Sequence, residues 1–280
     1  MRAPEPVTLD RGRIAAWRSG RSGPRVLALH GWLDNANSFL PLAGILDTIE
    51  LVAIDFPGHG RSAPRPDGVF YNFNQYVFDV LAWLDELAWD DAHLLAHSMG
   101  GAVATVVAAA APDRVRSLSL IEGLGPLSAP AERTAANWQR AVRRARLRPR
   151  RVHSSRKAAI AARAEGSDLD PAAAELLAQR ALIEVDGGWQ WGHDLRLTWP
   201  SPGYCTESQV LDLIAAIRAP VLNIHSDPPS GLLEPRLMKL RRAAVRNERS
   251  LGCPGGHHLH MHQAERIAAA IRTHIEDHDQ

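Results

Sequence analysis

Hydrophobic and polar positions change their period repeatedly along the chain. Short apolar runs recur at residues 7–9, 14–18, 25–29, 51–55, 92–96, 115–121, 220–225 and 243–251. Most are bounded by turn-forming residues, as strands are, and the first two are joined across Asp10-Arg11-Gly12. Between them the period lengthens. Over residues 73–87, Tyr76, Val77, Val80, Leu81, Leu84 and Leu87 fall on one helical face, and 99–111 and 263–275 also read as helices. Eight strands alternating with helices predict an α/β fold: a mostly parallel sheet with helices on both faces. The alternation stops between residues 126 and 210, a stretch that is Ala- and Arg-rich and helical in character. It then turns irregular at Asp186-Gly187-Gly188-Trp189-Gln190-Trp191 and Pro200-Ser201-Pro202-Gly203. Because alternation resumes afterwards, residues 1–125 and 211–280 are expected to form the core and 126–210 a helical cap inserted into it.

Bulk properties narrow the setting. The chain has 280 residues, 45% hydrophobic and 22% charged, with a formal charge of +1. That suits one domain with a large core, and gives no reason to expect nucleic acid or membrane as a partner. Two cysteines, Cys205 and Cys253, are too few for a disulfide framework. Met1-Arg2-Ala3-Pro4-Glu5-Pro6 lacks the apolar stretch of a secretory signal, and the apolar run at 102–112 is too short to span a bilayer. A cytoplasmic location is expected.

The chemistry concentrates in a few turns. Leu94-Leu95-Ala96-His97-Ser98-Met99-Gly100-Gly101 sets a serine between a strand and a helix. A sharp turn there needs small residues two positions either side, here Ala96 and Gly100, and it exposes the Ser98 hydroxyl near a helix N-terminus. The plainer reading is that Ser98 only caps the helix. Near the C-terminus, Gly255-Gly256-His257 leads from the last strand into the last helix, which suits His257 as general base. His258 is the fallback. His257, His258, His260 and His262 also form a short tract of the kind that binds metal, but no cysteine or carboxylate stands beside them at ligand spacing, and neither a metal nor another cofactor is expected. A carboxylate must orient the imidazole. Glu122, at the end of strand 115–121, is favoured over Asp227, at the end of strand 220–225. His30-Gly31-Trp32 closes another strand, where glycine allows a turn that aims the Trp32 N–H inward. With the Met99 N–H it would make a two-donor oxyanion hole, and His30 would orient the loop.

Four motifs in order, His30-Gly31-Trp32, Asp55-Phe56-Pro57-Gly58-His59-Gly60-Arg61-Ser62, Ala96-His97-Ser98-Met99-Gly100-Gly101 and Gly256-His257, resemble the α/β-hydrolase superfamily. His30 through Phe39, and Trp189 through Ser201 in the cap, are similar to its serine hydrolase-like group. The resemblance covers nearly the whole chain. It implies the α/β-hydrolase fold, a serine nucleophile, a histidine base and ester-type substrates. Two departures stand out. Ala96 replaces a glycine, and the loop Ser226-Asp227-Pro228-Pro229 has serine where many relatives carry a glycine, with proline at the position three further on where their acid sits.

The reading is therefore a cofactor-free serine hydrolase that cleaves carboxylic esters or thioesters of small molecules through an acyl-enzyme on Ser98. The alternatives are carbon–carbon bond hydrolysis with the same triad, or a binding protein on the same fold. Gly58 to Ala63 also matches a dinucleotide fingerprint, but Pro64 and Pro66 follow where that motif needs a helix, so it is read as a turn. Arg140, Arg143, Arg144, Arg146, Arg148, Arg150, Arg151, Arg156 and Lys157 occur with no acidic residue among them. They form either a solvated helix face or a basic rim for anionic substrates. Trp138, Trp189 and Trp191 either line a pocket or fasten the cap.

Overall fold

The computed structural model describes residues 4–146, 149–231 and 233–279. Its strands, in chain order, are β1 (Glu5–Leu9), β2 (Ile14–Ser19), β3 (Arg25–Leu29), β4 (Glu50–Ile54), β5 (Ala92–His97), β6 (Val115–Ile121), β7 (Leu182–Val185), β8 (Gly188–Trp191), β9 (Val221–Ser226) and β10 (Glu248–Cys253). Eight of them form one sheet in the order β1-β2-β4-β3-β5-β6-β9-β10. β2 runs antiparallel to β1 and β4, and every other pairing is parallel. This is the α/β-hydrolase architecture.

Among the described residues ten α-helices accompany the strands: α1 (Leu40–Ala43), α2 (Phe73–Glu86), α3 (Met99–Ala110), α4 (Thr134–Arg144), α5 (Arg156–Glu165), α6 (Pro171–Ala181), α7 (Glu207–Ala216), α8 (Pro235–Ala244), α9 (Leu259–His262) and α10 (Ala264–Glu276). Alternate residues of a strand point to opposite faces, so β3 feeds two cores. Leu27 and Leu29 pack with Val80 and Leu84 of α2, Val103 and Val107 of α3 and Ile214 of α7. Val26 and Ala28 pack with Leu42 of α1 and Ile267 and Ile271 of α10. Helices thus cover both faces, and the central strands are buried on both sides.

The segment between β6 and β9 carries α4, α5, α6, the β7–β8 hairpin and α7; α7 joins the main core through Val210 and Ile214, while α5 and α6 form a small core around Ile160, Leu169, Ala174 and Leu177. It is fastened to the sheet by polar contacts. Asn35 Nδ2 donates to Leu177 O at 3.0 Å, Asn37 Nδ2 to Leu176 O at 2.9 Å, and Arg180 meets the buried Asp55 carboxylate at 2.7 Å. Asp55 also accepts the Ala36 and Arg61 amides, each at 2.8 Å, so this buried charge is fully satisfied.

Three local expectations need correction. The last strand is Glu248–Cys253, not 243–251, because Ala243 and Ala244 close α8. β10 is an edge strand, half-exposed and paired only with β9, so it lacks the continuous apolar signature of the inner strands. α8 itself, charged and opened by Pro235, was not foreseen. The stretch expected to be irregular at 186–191 is the turn and second strand of a hairpin, with Gly187 at φ +81° in a two-residue Asp186-Gly187 connection. Gly58 to Ala63 does fold as turns, with α2 the next helix. Among the described residues Cys205 and Cys253 are both free, and no helix is long and apolar enough to cross a membrane.

Candidate active site

Ser98 stands between β5 and α3 with φ 51° and ψ −114°, a conformation side chains rarely adopt. Leu33 and Glu122 also have positive φ, at 60° and 50°. Three strained non-glycine residues at neighbouring strand ends mark a place where backbone geometry is held by its surroundings. The local packing shows how. A Cβ on Gly100 would lie 2.1 Å from Leu29 O, and one on Gly123 would lie 2.6 Å from Ser98 O. Only glycine lets α3 start this close to β3, and that closeness forces the turn at Ser98.

The structure brings Ser98, His257 and Glu122 together. Ser98 Oγ and His257 Nε2 are 2.8 Å apart, and His257 Nδ1 and Glu122 Oε2 are 3.4 Å apart. With Nδ1–H directed at the carboxylate, Nε2 accepts from the serine hydroxyl. Glu122 Oε1 accepts from the Ser226 amide at 2.7 Å and from its hydroxyl at 3.1 Å, and Oε2 accepts from the Ser230 hydroxyl. Burial favours the protonated acid, but hydrogen bonds from His257, Ser230 and the Ser226 amide outweigh it and hold Glu122 down at about 2. Asp227 is exposed, and its side chain makes no hydrogen bond or ion pair among the described residues. Ser226 and Ser230 were missed by sequence reasoning. Ser226, the residue in the glycine's place, serves the acid of the neighbouring strand.

The four histidines part company around the short helix α9, which His257 and His258 precede. His258 points away from Ser98, its Nδ1 2.6 Å from Asp168 Oδ1 and its Nε2 3.2 Å from Asp34 Oδ2. Burial disfavours its charged form, but the Asp34 charge and hydrogen bonds to Asp168 and Asp34 prevail and push it up to about 9. His260 lies buried against Phe39 and His97, and His262 meets Asp170 at 3.0 Å. His97, next to the serine, is also buried. Its Nε2–H donates to His257 O at 2.9 Å, which pins the backbone of the residue facing Ser98. Burial holds His97 down at about 4, against the opposing pull of Asp34. Asp34 in turn takes Arg163 Nη2 at 2.9 Å. Arg163 and Asp168 belong to the insertion, so this network ties it to the histidine loop. Asp34, His97 and His258 each offer one potential ligand atom within 4.8 Å of the others. Asp34 already pairs with Arg163 at 2.9 Å, and carboxylate oxygens already face both nitrogens of His258.

The Trp32 and Met99 amides have no protein acceptor among the described residues. His30 braces the first of these loops: its Nδ1–H donates to Gly31 O at 2.7 Å and its Nε2 accepts the Phe56 N–H at 2.9 Å. The Trp32 indole is half-exposed and donates to Leu197 O at 2.9 Å. Trp191 lines a cavity and donates to Ala159 O, whereas Trp138 is exposed and Trp189 pairs its backbone with His153. Of the basic run, Arg143, Arg144, Arg146 and Lys157 face solvent, Arg140 contacts Tyr204 and Asn137, and Arg156 pairs with Glu175. Arg150 and Arg151 line the same cavity as Trp191, and Arg148 lies outside the described residues.

Comparison with known proteins places the fold. The family model described as alpha/beta hydrolase fold matches residues 24–227. A serine hydrolase-like protein of Danio rerio is 31% identical over 286 residues, covering 96% of this chain and 86% of that one. The crystal structure of a hypothetical protein from Pseudomonas aeruginosa PAO1 superposes with a TM-score of 0.88 at 36% identity, covering 96% of this chain and 99% of the other. The thioesterase domain from the curacin biosynthetic pathway, 24% identical, shares the fold with a TM-score of 0.84 over 96% of this chain and 99% of that domain. With its sheet order, its strained serine turn and these relatives, the chain belongs to the α/β-hydrolase fold family and, within it, to the serine hydrolase-like group.

Proposed function

We propose that the protein is a serine hydrolase of carboxylic esters or thioesters, with Ser98 as nucleophile, His257 as general base and Glu122 as the orienting acid. The observation that carries this reading is the 2.8 Å contact between Ser98 Oγ and His257 Nε2 at a strained turn. His257 Nε2 takes the hydroxyl proton as Oγ attacks the carbonyl carbon, and Glu122 stabilises the imidazolium that forms. The Trp32 and Met99 amides, which have no protein acceptor among the described residues, receive the oxyanion. Collapse breaks the bond to the leaving group, which departs with the proton from Nε2. Water, deprotonated by the same nitrogen, then releases the acid from the acyl-enzyme. Residues 126–210 act as the cap that shapes the pocket. The two free cysteines fit a cytoplasmic setting.

The test is turnover of p-nitrophenyl esters of increasing chain length. Wild type is expected to show a burst of nitrophenol followed by a slower steady state, and Ser98→Ala to lose at least about 10³ in rate. A folded Ser98→Ala variant with wild-type turnover refutes the reading.

A further inference from the structure

The insertion frames a cavity of about 300 Å³. Arg150, Arg151 and Arg163 line it together with His153, His193 and Leu33, and among the described residues no carboxylate lines it. The sequence run of arginines thus sorts in space: most face solvent, while two reach this cavity and meet Arg163, which lies outside the run. Leu33 directly follows Trp32, so the cavity shares a wall with the loop assigned to the oxyanion.

The charge here is poorly neutralised. Arg150 is half-buried and donates to the carbonyls of Trp191, at 3.0 Å, and His193. These carbonyls fix the direction of the guanidinium without cancelling its charge. Among the described residues no carboxylate pairs with Arg150 or Arg151. Arg163 shares Asp34 with His258, and its Nε is buried without a hydrogen-bond partner among the described residues. Burial, then the charges of Arg150 and Arg163, holds His193 down at about 4, so it offers hydrogen bonds beside the guanidiniums without adding to the repulsion. Cations held together in a partly enclosed site are stabilised by an anion that satisfies their remaining donors, and guanidinium groups suit carboxylate and phosphate oxygens.

We propose that this cavity binds the anionic end, a carboxylate or phosphate, of a substrate whose ester or thioester carbonyl is attacked at Ser98, so that the insertion selects acidic substrates. The proposal rests on the serine hydrolase reading for its chemistry and on the arginine-lined cavity for its specificity.

Two measurements test it. In the first, p-nitrophenyl hemiesters of straight dicarboxylic acids of graded length are compared with neutral esters of matched length. At the length that spans the gap, kcat/KM is expected to favour the hemiester by about tenfold or more. That ratio should fall about tenfold in Arg150→Gln, and added salt should erode it. The solvent-facing Arg144→Gln should keep the wild-type ratio. In the second, glutarate and inorganic phosphate are titrated calorimetrically into folded Ser98→Ala. Saturable binding that Arg150→Gln or Arg163→Gln weakens is expected, and the tighter of the two anions identifies the preferred group. Hemiesters no better than neutral esters at every length, with neither anion binding, overturn the inference and leave the serine hydrolase reading standing. Anion binding without turnover of any ester supports the cavity and counts against the hydrolase.

Discussion

Glu122→Gln keeps the shape of the side chain that faces His257 and removes its charge. Every group that contacts the two oxygens is a donor: the Ser226 amide at 2.7 Å, the Ser226 hydroxyl at 3.1 Å, the Ser230 hydroxyl, and His257 Nδ1 at 3.4 Å. A carboxamide must turn its amino group toward one side. The Ser226 backbone amide cannot reverse its role, so the oxygen stays there and the amino group faces Ser230 and His257. The Ser230 hydroxyl can rotate to accept. The imidazole escapes only by moving its proton to Nε2, where it donates to Ser98 and no longer accepts. The base is then lost in the ground state. Tautomer reversal of this kind costs up to about 10⁴ in kcat, and the length of the His257 contact places this case at about 10³–10⁴. That corresponds to about 4–5.5 kcal/mol in the barrier. The assay is pre-steady-state acylation by a p-nitrophenyl ester, with thermal unfolding to verify the fold. Asp227→Asn, at an exposed side chain without partners among the described residues, should stay within about twofold of wild type. The reasoning is refuted if folded Glu122→Gln keeps more than about a tenth of the wild-type rate, or if Asp227→Asn is the variant that collapses.

Two further outcomes follow from the packing and the charges. His258 is held up at about 9 against about 6.5 in an unfolded chain, so the stability of its contacts with Asp34 and Asp168 is fully present below about pH 6.5 and lost as pH rises through about 9. Denaturant unfolding of wild type should lose about 3 kcal/mol across that window and His258→Asn much less; equal profiles would contradict the assignment. Gly100→Ala would set a Cβ 2.1 Å from Leu29 O, in backbone that cannot yield, and should cost about 3 kcal/mol of stability. Gly203→Ala, with nothing within 4 Å, should be neutral; matching melting curves for the two variants would show that the close approach of α3 to β3 is not needed.

What was legible in the sequence is what local chemistry dictates. The turn around Ser98 announces itself through Ala96 and Gly100, and the glycine pair before His257 through the bend it permits. The inner strands show as continuous apolar runs because both faces are buried. The choice between Glu122 and Asp227 was harder. It depends on where two adjacent strand ends place their carboxylates against a loop more than a hundred residues further on from the first of them, and Ser226 looks like a defect until its amide and hydroxyl are seen on Glu122. His258 offered no way to foresee its partners, because Asp168 comes from the insertion and Asp34 from the far end of the chain. β10 was misplaced because an edge strand shows little apolar pattern, whereas the β7–β8 hairpin did carry a usable signal in Asp186-Gly187 between two β-prone segments.

The central claim is that Ser98 is a nucleophile made reactive by His257. Incubation with a fluorophosphonate, followed by intact mass and peptide mapping, tests it directly. The account predicts one phosphonyl adduct, located on Ser98, formed far more slowly in His257→Ala and absent in Ser98→Ala. An unmodified Ser98 in folded wild-type protein, or an adduct on another residue that forms equally well in all three proteins, would contradict it.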